Sequence, residues 1–467
     1  MRIHFIGIGG IGVSALAKYY LKKGWEVSGC DLTQSEITDQ LKEMGASIRI
    51  GKPEENCVPA NTERIVYSPA VSKESLNVEN RKLKVPALSY PETLGELTKT
   101  HYTIAVSGTH GKSTTTSMIG LLLMKAGFDP TIIVGTKLKE LGDSTHSTSS
   151  GSNCRVGKSK YLVIEADEHF ASFLNYWPTI IVLTTVEADH LDYYKNLENI
   201  VEAFKKYVAH LPEDGWLVAN KDDKNIQEIV KSEIRNSKFE TNPKYQIPNI
   251  EYYSLRQREA GELRKLMKIP GQHNVSNALA ALSVARILKV PDVISMKALG
   301  EYKGSWRRFE VFDVKIENCK LKIVSDYGHH PTEVKVTVEA ARQKWPFDTE
   351  RSRSTQGKPE LWLVFQPHQY QRTYLLWDDF VKVLSNLPVQ KLILTDIYDV
   401  AGREDKELKA KVSSEKLAQA TGALYIPTIQ QVEQYLKQNL RGGEIVMVMG
   451  AGDIYNLTLS LTKSKIE

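Results

Sequence analysis

One short segment constrains the fold more than any other part of the chain. It reads VSGTHGKSTTTSM at 106–118, between an apolar run typical of a strand and a run typical of a helix. A glycine turn in that context is typical of a phosphate-binding loop, because backbone N–H groups and the helix N-terminus attract anions. Lys112 can reach the β- and γ-phosphates of a nucleotide, and Ser113 can offer its hydroxyl to Mg²⁺. The segment begins with valine where the full motif has a glycine. A plain strand-to-helix turn would explain Gly108 and Gly111, but not the Lys-Ser pair.

Composition narrows the class of protein. A chain of 467 residues is long enough for two to four domains. Its net charge of +5 is small and dispersed, so it indicates no nucleic-acid partner. No apolar run approaches the length that spans a membrane, and the chain starts directly with a strand-like run rather than a signal peptide. The cysteines are far apart, without a C-x-x-C pair: Cys30, Cys57, Cys154 and Cys319. That spacing favours reduced thiols in a cytoplasmic protein over disulfides or zinc.

Strand-like and helix-like runs alternate throughout, which predicts an α/β protein with mainly parallel sheets. A linker is expected between Pro86 and Pro91, and a surface loop rich in Ser, Thr and Gly is expected at 137–160. Further polar loops are expected at 231–262 and 350–359. A third structural unit is expected to begin near Phe309.

A second glycine-rich turn lies at the N-terminus. Gly7, Gly9 and Gly12 form a G-x-G-x-x-G motif after the first predicted strand, and Asp31 ends the next strand. This is the context of a dinucleotide-binding fingerprint, in which the glycines admit a pyrophosphate and the acid binds a ribose hydroxyl. The motif does not distinguish NAD from another diphosphate, and a tight structural turn is the alternative.

Two carboxylate clusters follow predicted strands of the second unit. The first is Glu165-Ala-Asp167-Glu168, and the second is Glu187-Ala-Asp189-His190-Leu-Asp192. Ligands of open α/β sheets bind beyond the carboxyl ends of the strands, so both clusters are expected on the same edge as Lys112. Carboxylate oxygens suit Mg²⁺. An imidazole is a less usual ligand, so His190 could instead lie just outside the ligand set. The alternative is that these acids are solvated loop residues.

Later motifs are open to more than one interpretation. In Gly271-Gln-His273-Asn274-Val-Ser-Asn277, the polar side chains could contact a nucleotide base, or Asn277 could cap the helix that follows. Arg307 and Arg308 could clamp phosphate oxygens or lie on the surface. Three more polar segments also follow or end apolar runs: Asp326-Tyr-Gly-His329-His330-Pro-Thr-Glu333, Phe365-Gln-Pro-His368-Gln369-Tyr-Gln371-Arg372, and Gly450-Ala-Gly452-Asp453.

Taken together, these motifs resemble those of the Mur ligases over nearly the whole chain. GIGGIG, GTHGKS, EADE, EADHLD, GQHNVSNALAA, RRFE, DYGHHPTE, FQPH and GAGDI occur in the family's order. The resemblance implies a UDP-sugar domain at 1–98, a central ATP-binding domain at 99–308 and a C-terminal amino-acid-binding domain at 309–467. The first and third domains are expected to be Rossmann-like, and the third to close over the amino acid. The resemblance is strongest to the ligases that use ATP and Mg²⁺ to join L-alanine to UDP-N-acetylmuramate. The protein is expected to be a monomer or a homodimer.

The resemblance also implies residue roles. Lys112, Glu168 and His190 correspond to catalytic residues, and Ser113, Glu168 and His190 to the metal site. The residues expected to bind ATP are Gly108, Thr109, His110, Gly111, Lys112, Ser113, Thr114, His273, Asn274, Asn277, Arg308 and Asp326. The UDP-sugar is expected at Gly9, Gly10, Gly12 and Asp31. The amino acid is expected at His329, His368 and Arg372.

The chain departs from the family pattern at a few positions. Gln369 stands where the family usually has an arginine, His169-Phe170 replaces the usual Ser-Asp after EADE, and Ser113 replaces a threonine. The first two departures bear on the choice of amino acid. The alternatives are another Mur-type ligase that recycles murein peptides, a nicotinamide dehydrogenase, and a nucleotide-binding protein without activity. A dehydrogenase would not explain Lys112 together with two acidic clusters, and the presence of Lys112, Glu168 and His190 argues against a protein without activity.

Overall fold

The computed structural model describes residues 1–51, 57–71, 85–142, 151–236, 247, 249–316, 319–346, 359–399 and 406–463. The chain divides into two compact units. The first unit comprises Met1–Glu187, Glu198–Leu266 and Ser276–Glu301, and the second comprises Ala188–Leu197, Met267–Val275 and Tyr302–Glu467. Among the described residues, no helix has the length and apolar character needed to cross a membrane.

The first unit begins with a five-stranded parallel sheet in the order β3-β2-β1-β4-β5. Its strands are β1 Arg2–Ile6, β2 Glu26–Asp31, β3 Ser47–Ile50, β4 Arg64–Tyr67 and β5 Ala87–Ser89. Its helices are Ile11–Lys22, Glu36–Glu43 and Tyr90–Thr100. The near-continuous apolar run of β1 is buried from Ile3 to Ile6, as expected for a central parallel strand that is covered on both faces.

A seven-stranded sheet follows in the same unit, in the order β12-β11-β10-β6-β9-β7-β8. Its strands are β6 Tyr102–Ser107, β7 Thr131–Leu138, β8 Ser152–Arg155, β9 Tyr161–Glu165, β10 Ile180–Leu183, β11 Trp216–Asn220 and β12 Asn249–Tyr253. The helices of this region are Lys112–Lys125, Leu197–Val208, Lys224–Asn236, Arg258–Leu266, Gln272–Ile287 and Asp292–Glu301, with 3₁₀ segments at Lys139–Leu141 and His169–Asn175. Only the edge strand β8 pairs antiparallel in this sheet. The carboxyl ends of β6, β9 and β10 therefore meet at one edge.

The second unit contains a six-stranded sheet in the order β13-β14-β18-β15-β16-β17, in which only β13 is antiparallel. Its strands are β13 Glu310–Ile316, β14 Cys319–Asp326, β15 Leu361–Phe365, β16 Lys391–Leu394, β17 Leu424–Tyr425 and β18 Ile445–Met449. Its helices are Leu191–Tyr194, Pro331–Lys344, Tyr370–Leu375, Trp377–Ser385, Lys406–Lys411, Ser414–Thr421, Ile429–Asn439 and Tyr455–Leu461. Separate apolar clusters pack on the two faces of this sheet, around Phe380 on one and Leu457 on the other.

The predicted α/β class with mainly parallel sheets is confirmed, but three loop predictions are wrong. Between Pro86 and Pro91 the chain forms β5 and the start of a helix rather than a linker. The segment 137–160 includes the edge strand β8, and 231–262 includes β12 and helical turns on both sides of it. Residues 143–150, 237–246 and 248 of these two segments lie outside the described residues. In these segments, pairing to a neighbouring strand or burial against a helix overrides polar composition. Most of the loop predicted at 350–359 lies outside the described residues. The domain boundaries at 98 and 308 stay predictions.

Candidate active site

The phosphate loop predicted from the sequence connects β6 to the helix Lys112–Lys125. Gly108 has a φ of 134° and Gly111 a φ of 85°, a conformation that residues with a Cβ rarely adopt. A Cβ at Gly111 would also lie 2.5 Å from Oδ1 of Asn277. Asn277 is inside the helix Gln272–Ile287, so the prediction that it caps this helix is wrong. Its side chain faces the turn of the loop instead.

Two threonines that follow β10 hold the loop in place. The Thr109 N–H donates to the Thr185 carbonyl at 2.8 Å, and the His110 N–H donates to Oγ1 of Thr185 at 2.9 Å. Oγ1 of Thr184 donates to the His110 carbonyl at 2.5 Å. Thr184 and Thr185 belong to none of the motifs in the sequence. Their position after a buried strand of the same sheet is the signal that could have identified them.

Lys112 forms a buried ion pair on this loop. Its Nζ donates to both carboxylate oxygens of Glu168, at 3.0 and 2.8 Å, and to the Gly108 carbonyl at 2.8 Å. Asp167 is 3.7 Å away. The loop and β9 thus deliver a cation and an anion to one point at the edge of the central sheet.

Burial and the neighbouring charges shift the pKa values of both members of this pair. Burial alone would lower the pKa of Lys112, but the carboxylates of Glu168 and Asp167 outweigh it and raise that pKa. Burial raises the pKa of Glu168 to about 7, although Lys112 opposes the rise. Lys112 is therefore charged at neutral pH, and Glu168 is a desolvated carboxyl that any additional cation would help to ionise.

The donor chemistry at this edge suits a hard cation. Ser113 presents a hydroxyl on the first turn of the helix, and Glu168 presents its carboxylate three residues after β9. Both offer oxygen ligands, which Mg²⁺ prefers. The third predicted ligand, His190, belongs to the second unit. It has a left-handed backbone with φ 51°, and its N–H donates to Oδ1 of Asp189 at 2.7 Å.

In the N-terminal glycine loop, Asp31 accepts a hydrogen bond from the backbone of the loop. The Gly9 N–H donates to Oδ2 of Asp31 at 2.8 Å. A Cβ at Gly12 would lie 2.9 Å from the Tyr90 ring, whereas at Gly10 the nearest neighbour would be the Gly7 carbonyl at 3.4 Å. Gly12 is thus required for packing, whereas a Cβ at Gly10 would make only ordinary van der Waals contacts.

In the second unit a buried ion pair joins distant parts of the chain. Nε of Arg372 donates to Oδ1 of Asp189 at 3.0 Å, and Nη2 approaches Oδ2 at 3.4 Å. Burial raises the pKa of Asp189, but Arg372 and nearby imidazoles hold it well below its ordinary value. The sequence analysis placed Asp189 in an acidic cluster without a role. No local pattern reveals this pair, because its members are 183 residues apart in sequence.

The predicted amino-acid residues lie around Arg372. His368 Nδ1 and Gln369 Oε1 are each 3.4 Å from Nη1 of Arg372, and the rings of His329 and His368 are 5.4 Å apart between centroids. Burial lowers the pKa of His329 to about 4 and that of His368 to about 2. Both imidazoles are therefore neutral at physiological pH. Arg372 and Gln369 line a small cleft together with Asp189.

The remaining predicted residues of this unit differ in their surroundings. Asp326 accepts from the N–H groups of Phe309 and Gly328 at 2.8 and 2.7 Å. Arg308 stacks over Tyr327 at 5.1 Å from the ring centroid and is partly exposed.

Arg307, by contrast, is buried and donates to the Gly450 carbonyl, so the two neighbouring arginines do not act as one clamp. Asn274 and His273 lie in the first turn of the helix Gln272–Ile287. The Asn274 side chain donates to the Pro270 carbonyl at 2.6 Å. The His273 ring packs against Gly271, where an added Cβ would lie 2.5 Å from Cε1. His330, which the site prediction omitted, caps the helix Pro331–Lys344.

A strand–glycine loop–helix turn that carries a paired lysine, at the carboxyl edge of a mainly parallel sheet, defines an α/β phosphate-loop enzyme. Models of three domains match the chain in order and confirm the predicted three-domain organisation. The Mur ligase family catalytic domain matches residues 2–102, the Mur ligase middle domain 106–285, and the Mur ligase glutamate ligase domain 307–452. A relative from Acetivibrio thermocellus, named UDP-N-acetylmuramate–L-alanine ligase, is 38% identical over 99% of this chain and 96% of its own. The chain belongs to the Mur ligase family.

Two solved structures share the fold at lower identity. A UDP-N-acetylmuramate-alanine ligase from Thermotoga maritima is 22% identical with a TM-score of 0.75, covering 99% of this chain and 98% of its own. A murein peptide ligase from Psychrobacter arcticus is 20% identical with a TM-score of 0.70, over the same shares of the two chains. These similarities support the architecture alone.

Proposed function

We propose that this Mur ligase uses ATP to join L-alanine to the lactyl carboxylate of UDP-N-acetylmuramate, in the synthesis of peptidoglycan precursors. The observation that carries the proposal is the buried Lys112–Glu168 pair on the phosphate loop, because it places a fixed cation where a nucleotide phosphate would bind. The name of the relative that is 38% identical over nearly its whole length supports the choice of substrates.

The proposed ATP site uses the phosphate loop from Gly108 to Thr114. Nζ of Lys112 donates to the Glu168 carboxylate, and a γ-phosphate would take over one of these contacts. The phosphate-loop backbone is already fixed by Thr184 and Thr185, so little rearrangement is needed to accept the anion. His273, Asn274, Asn277, Arg308 and Asp326 are proposed contacts of the rest of the nucleotide.

We assign Ser113, Glu168 and His190 to Mg²⁺. When bound, Mg²⁺ would neutralise charge on the transferring phosphate. The raised pKa of Glu168 is consistent with a carboxyl that is ionised most easily beside a cation. Gly9, Gly10, Gly12 and Asp31 are assigned to the UDP-sugar, in a domain proposed to end near residue 98.

A carboxylate does not form an amide with an amine in water unless the carboxylate is first activated. Two unit charges about 4 Å apart repel by roughly 4 kcal/mol at an effective dielectric near 20, so the carboxylate and the γ-phosphate need fixed cations between them. In the proposed route a carboxylate oxygen attacks the γ-phosphorus, the bond to the β-phosphate oxygen breaks, and ADP leaves. The alanine amine then attacks the acyl phosphate, and inorganic phosphate departs with that carboxylate oxygen.

The amino-acid end is proposed around Arg372, which has Nη1 directed toward His368 and Gln369. A carboxylate could bind at this edge of the guanidinium, because Asp189 occupies the opposite donors. Neutral His329 and His368 would not repel an ammonium group. Their lowered pKa values make both imidazoles weak bases toward its proton.

The test is ADP release measured across a panel of acceptors and amino acids. We expect release only with UDP-N-acetylmuramate, and with L-alanine in preference to glycine and L-serine. Preference for the tripeptide L-alanyl-γ-D-glutamyl-meso-diaminopimelate would assign the chain to murein peptide recycling instead. Binding of NAD without a response to any UDP-sugar would reject the ligase altogether.

A further inference from the structure

Two cysteines and a histidine that are distant in sequence meet inside the first sheet. His4 lies on β1, Cys30 on β2, and Cys57 on the segment between β3 and β4. One ligand atom from each, a ring nitrogen and the two Sγ atoms, lies within 4.8 Å of the other two, and all three residues are buried. The cysteine spacing alone disfavours zinc, because the sequence has no C-x-x-C pair. Here strand pairing, rather than local spacing, brings the thiols together.

The imidazole is oriented as metal-binding histidines usually are. Nδ1 of His4 is 2.9 Å from Oγ of Ser28, the residue opposite it on β2, and this contact directs Nε2 toward the thiols. A hydrogen bond on the second ring nitrogen that fixes the ring and its tautomer is a regular feature of metal sites.

The spacing also matches a metal centre. With Zn–S near 2.3 Å and Zn–N near 2.0–2.1 Å, a tetrahedral ion separates its sulfur and nitrogen ligands by about 3.5 Å. Cys57 Sγ and His4 Nε2 are 3.4 Å apart. Two thiols with an imidazole form a soft donor set that selects Zn²⁺ over Mg²⁺ or Ca²⁺.

We propose that His4, Cys30 and Cys57 form a binding site for Zn²⁺ or a similar thiophilic ion, separate from the phosphate loop and its predicted Mg²⁺ ligands. Three protein ligands leave one coordination position for a water or another small ligand.

The site lies directly beneath the N-terminal glycine loop. The Cys30 carbonyl accepts hydrogen bonds from the N–H groups of Gly7 and Ile8, at 2.9 and 3.1 Å, and Asp31, which holds Gly9, is the next residue. An ion bound to the Cys30 thiolate would therefore stiffen the strand end that supports this loop. The ion is expected to stabilise the folded chain, because the unfolded chain does not hold the three ligands together.

The experiment uses the full-length protein, kept reduced with a phosphine and stripped of metal with a chelator. Co²⁺ is the spectroscopic probe, and Zn²⁺ is the competitor. We expect one equivalent of Co²⁺ to produce thiolate-to-cobalt charge-transfer absorption, which Zn²⁺ abolishes. Zn²⁺ should also raise the melting temperature.

Cys30→Ser and Cys57→Ser should each lose the charge-transfer absorption and the thermal shift. Cys154→Ser is the matched control: Cys154 is also buried and also forms no disulfide, but lies outside the cluster, so this variant should keep both responses. Circular dichroism of the metal-free variants checks that they fold, and His4→Gln supplies a third ligand change should a serine variant misfold.

The proposal is overturned if the reduced parent shows no cobalt–thiolate absorption, or if Cys30→Ser and Cys57→Ser keep it. Formation of a Cys30–Cys57 disulfide under mild oxidant, with no metal uptake by the reduced protein, would also overturn it in favour of a redox pair. None of these readouts uses ligase activity, so the result is independent of the proposed function.

Discussion

Replacing Lys112 with methionine measures how much its buried ion pair with Glu168 contributes to the stability of the protein and to ADP formation. Removing one partner of a buried ion pair lowers the free energy of unfolding by about 3–5 kcal/mol when the other charge stays unpaired. Here the loss should be smaller, about 2 kcal/mol at pH 8, because Glu168 can take up a proton once Lys112 is gone. Formation of ADP should fall at least about a hundredfold, the usual effect of removing a donor that stabilises transition-state charge.

The sign of the pH dependence makes this prediction specific. A carboxyl with a raised pKa in the folded protein binds more protons there than in the unfolded chain, so stability falls as pH rises toward the folded pKa. In the parent this decline ends near pH 7, the pKa of Glu168. In Lys112→Met the carboxyl stays protonated, and the variant should lose a further ~1.4 kcal/mol per pH unit relative to the parent above pH 7.

Urea unfolding of the nucleotide-free protein at several pH values measures the effect. Lys125→Met is the matched control on the same helix, because Lys125 pairs with Glu301 at an exposed position, where such a pair contributes about 0–1 kcal/mol. Lys112→Met/Glu168→Gln should remove the extra slope. The reasoning is refuted if Lys112→Met and the parent show parallel stability curves between pH 7 and pH 8.5.

Three further predictions concern other parts of the chain. Gly10→Ala should raise the KM for UDP-N-acetylmuramate at least about tenfold, or 1.4 kcal/mol, because the added methyl group would intrude on the proposed diphosphate site. The melting temperature should not fall, because a Cβ there makes only ordinary van der Waals contacts, the nearest at 3.4 Å; an unchanged KM in steady-state assays would remove Gly10 from the site. Gln369→Arg should lower the KM for L-alanine and leave the KM for ATP alone, because a second guanidinium would join Arg372 at the cleft; an unchanged or higher KM would mean that Gln369 does not face the amino acid. Burial lowers the pKa of Lys18 to about 8, below its unfolded value, so the folded chain binds fewer protons there and stability should rise from pH 8 toward pH 10. Lys18→Met should flatten that rise in urea titrations, and an identical rise in both proteins would contradict it.

Local sequence patterns were enough to predict both glycine loops. Each loop needs only a buried strand, glycines at fixed spacing and a helix start, all within about 25 residues. The apolar runs at 2–6, 26–30 and 102–106 predict strands, and β1, β2 and β6 match them to within one residue. The helices after the two loops, expected at about 12–23 and 113–126, each begin and end within one residue of those bounds.

Contacts between distant segments could not be predicted in the same way. The sequence predicted that the acidic cluster of Glu168 lies on the same sheet edge as Lys112, but not that the two side chains form an ion pair. It gave no sign of the Asp189–Arg372 pair, whose members are 183 residues apart. Sequence periodicity reports which face of an element is buried, but not which element covers it. β8 was assigned to a loop for the same reason: its burial at Asn153 and Cys154 comes from the elements packed around it.

Transfer of a labelled oxygen tests the proposed acyl phosphate route most directly. The lactyl carboxylate of UDP-N-acetylmuramate would be labelled with ¹⁸O on both oxygens and incubated with the enzyme, ATP and L-alanine. Because one carboxylate oxygen attacks phosphorus and leaves with it, the account predicts one ¹⁸O in each inorganic phosphate and one in the new amide. Mass spectrometry of the phosphate reads the result. Amide formation with unlabelled phosphate would contradict the account.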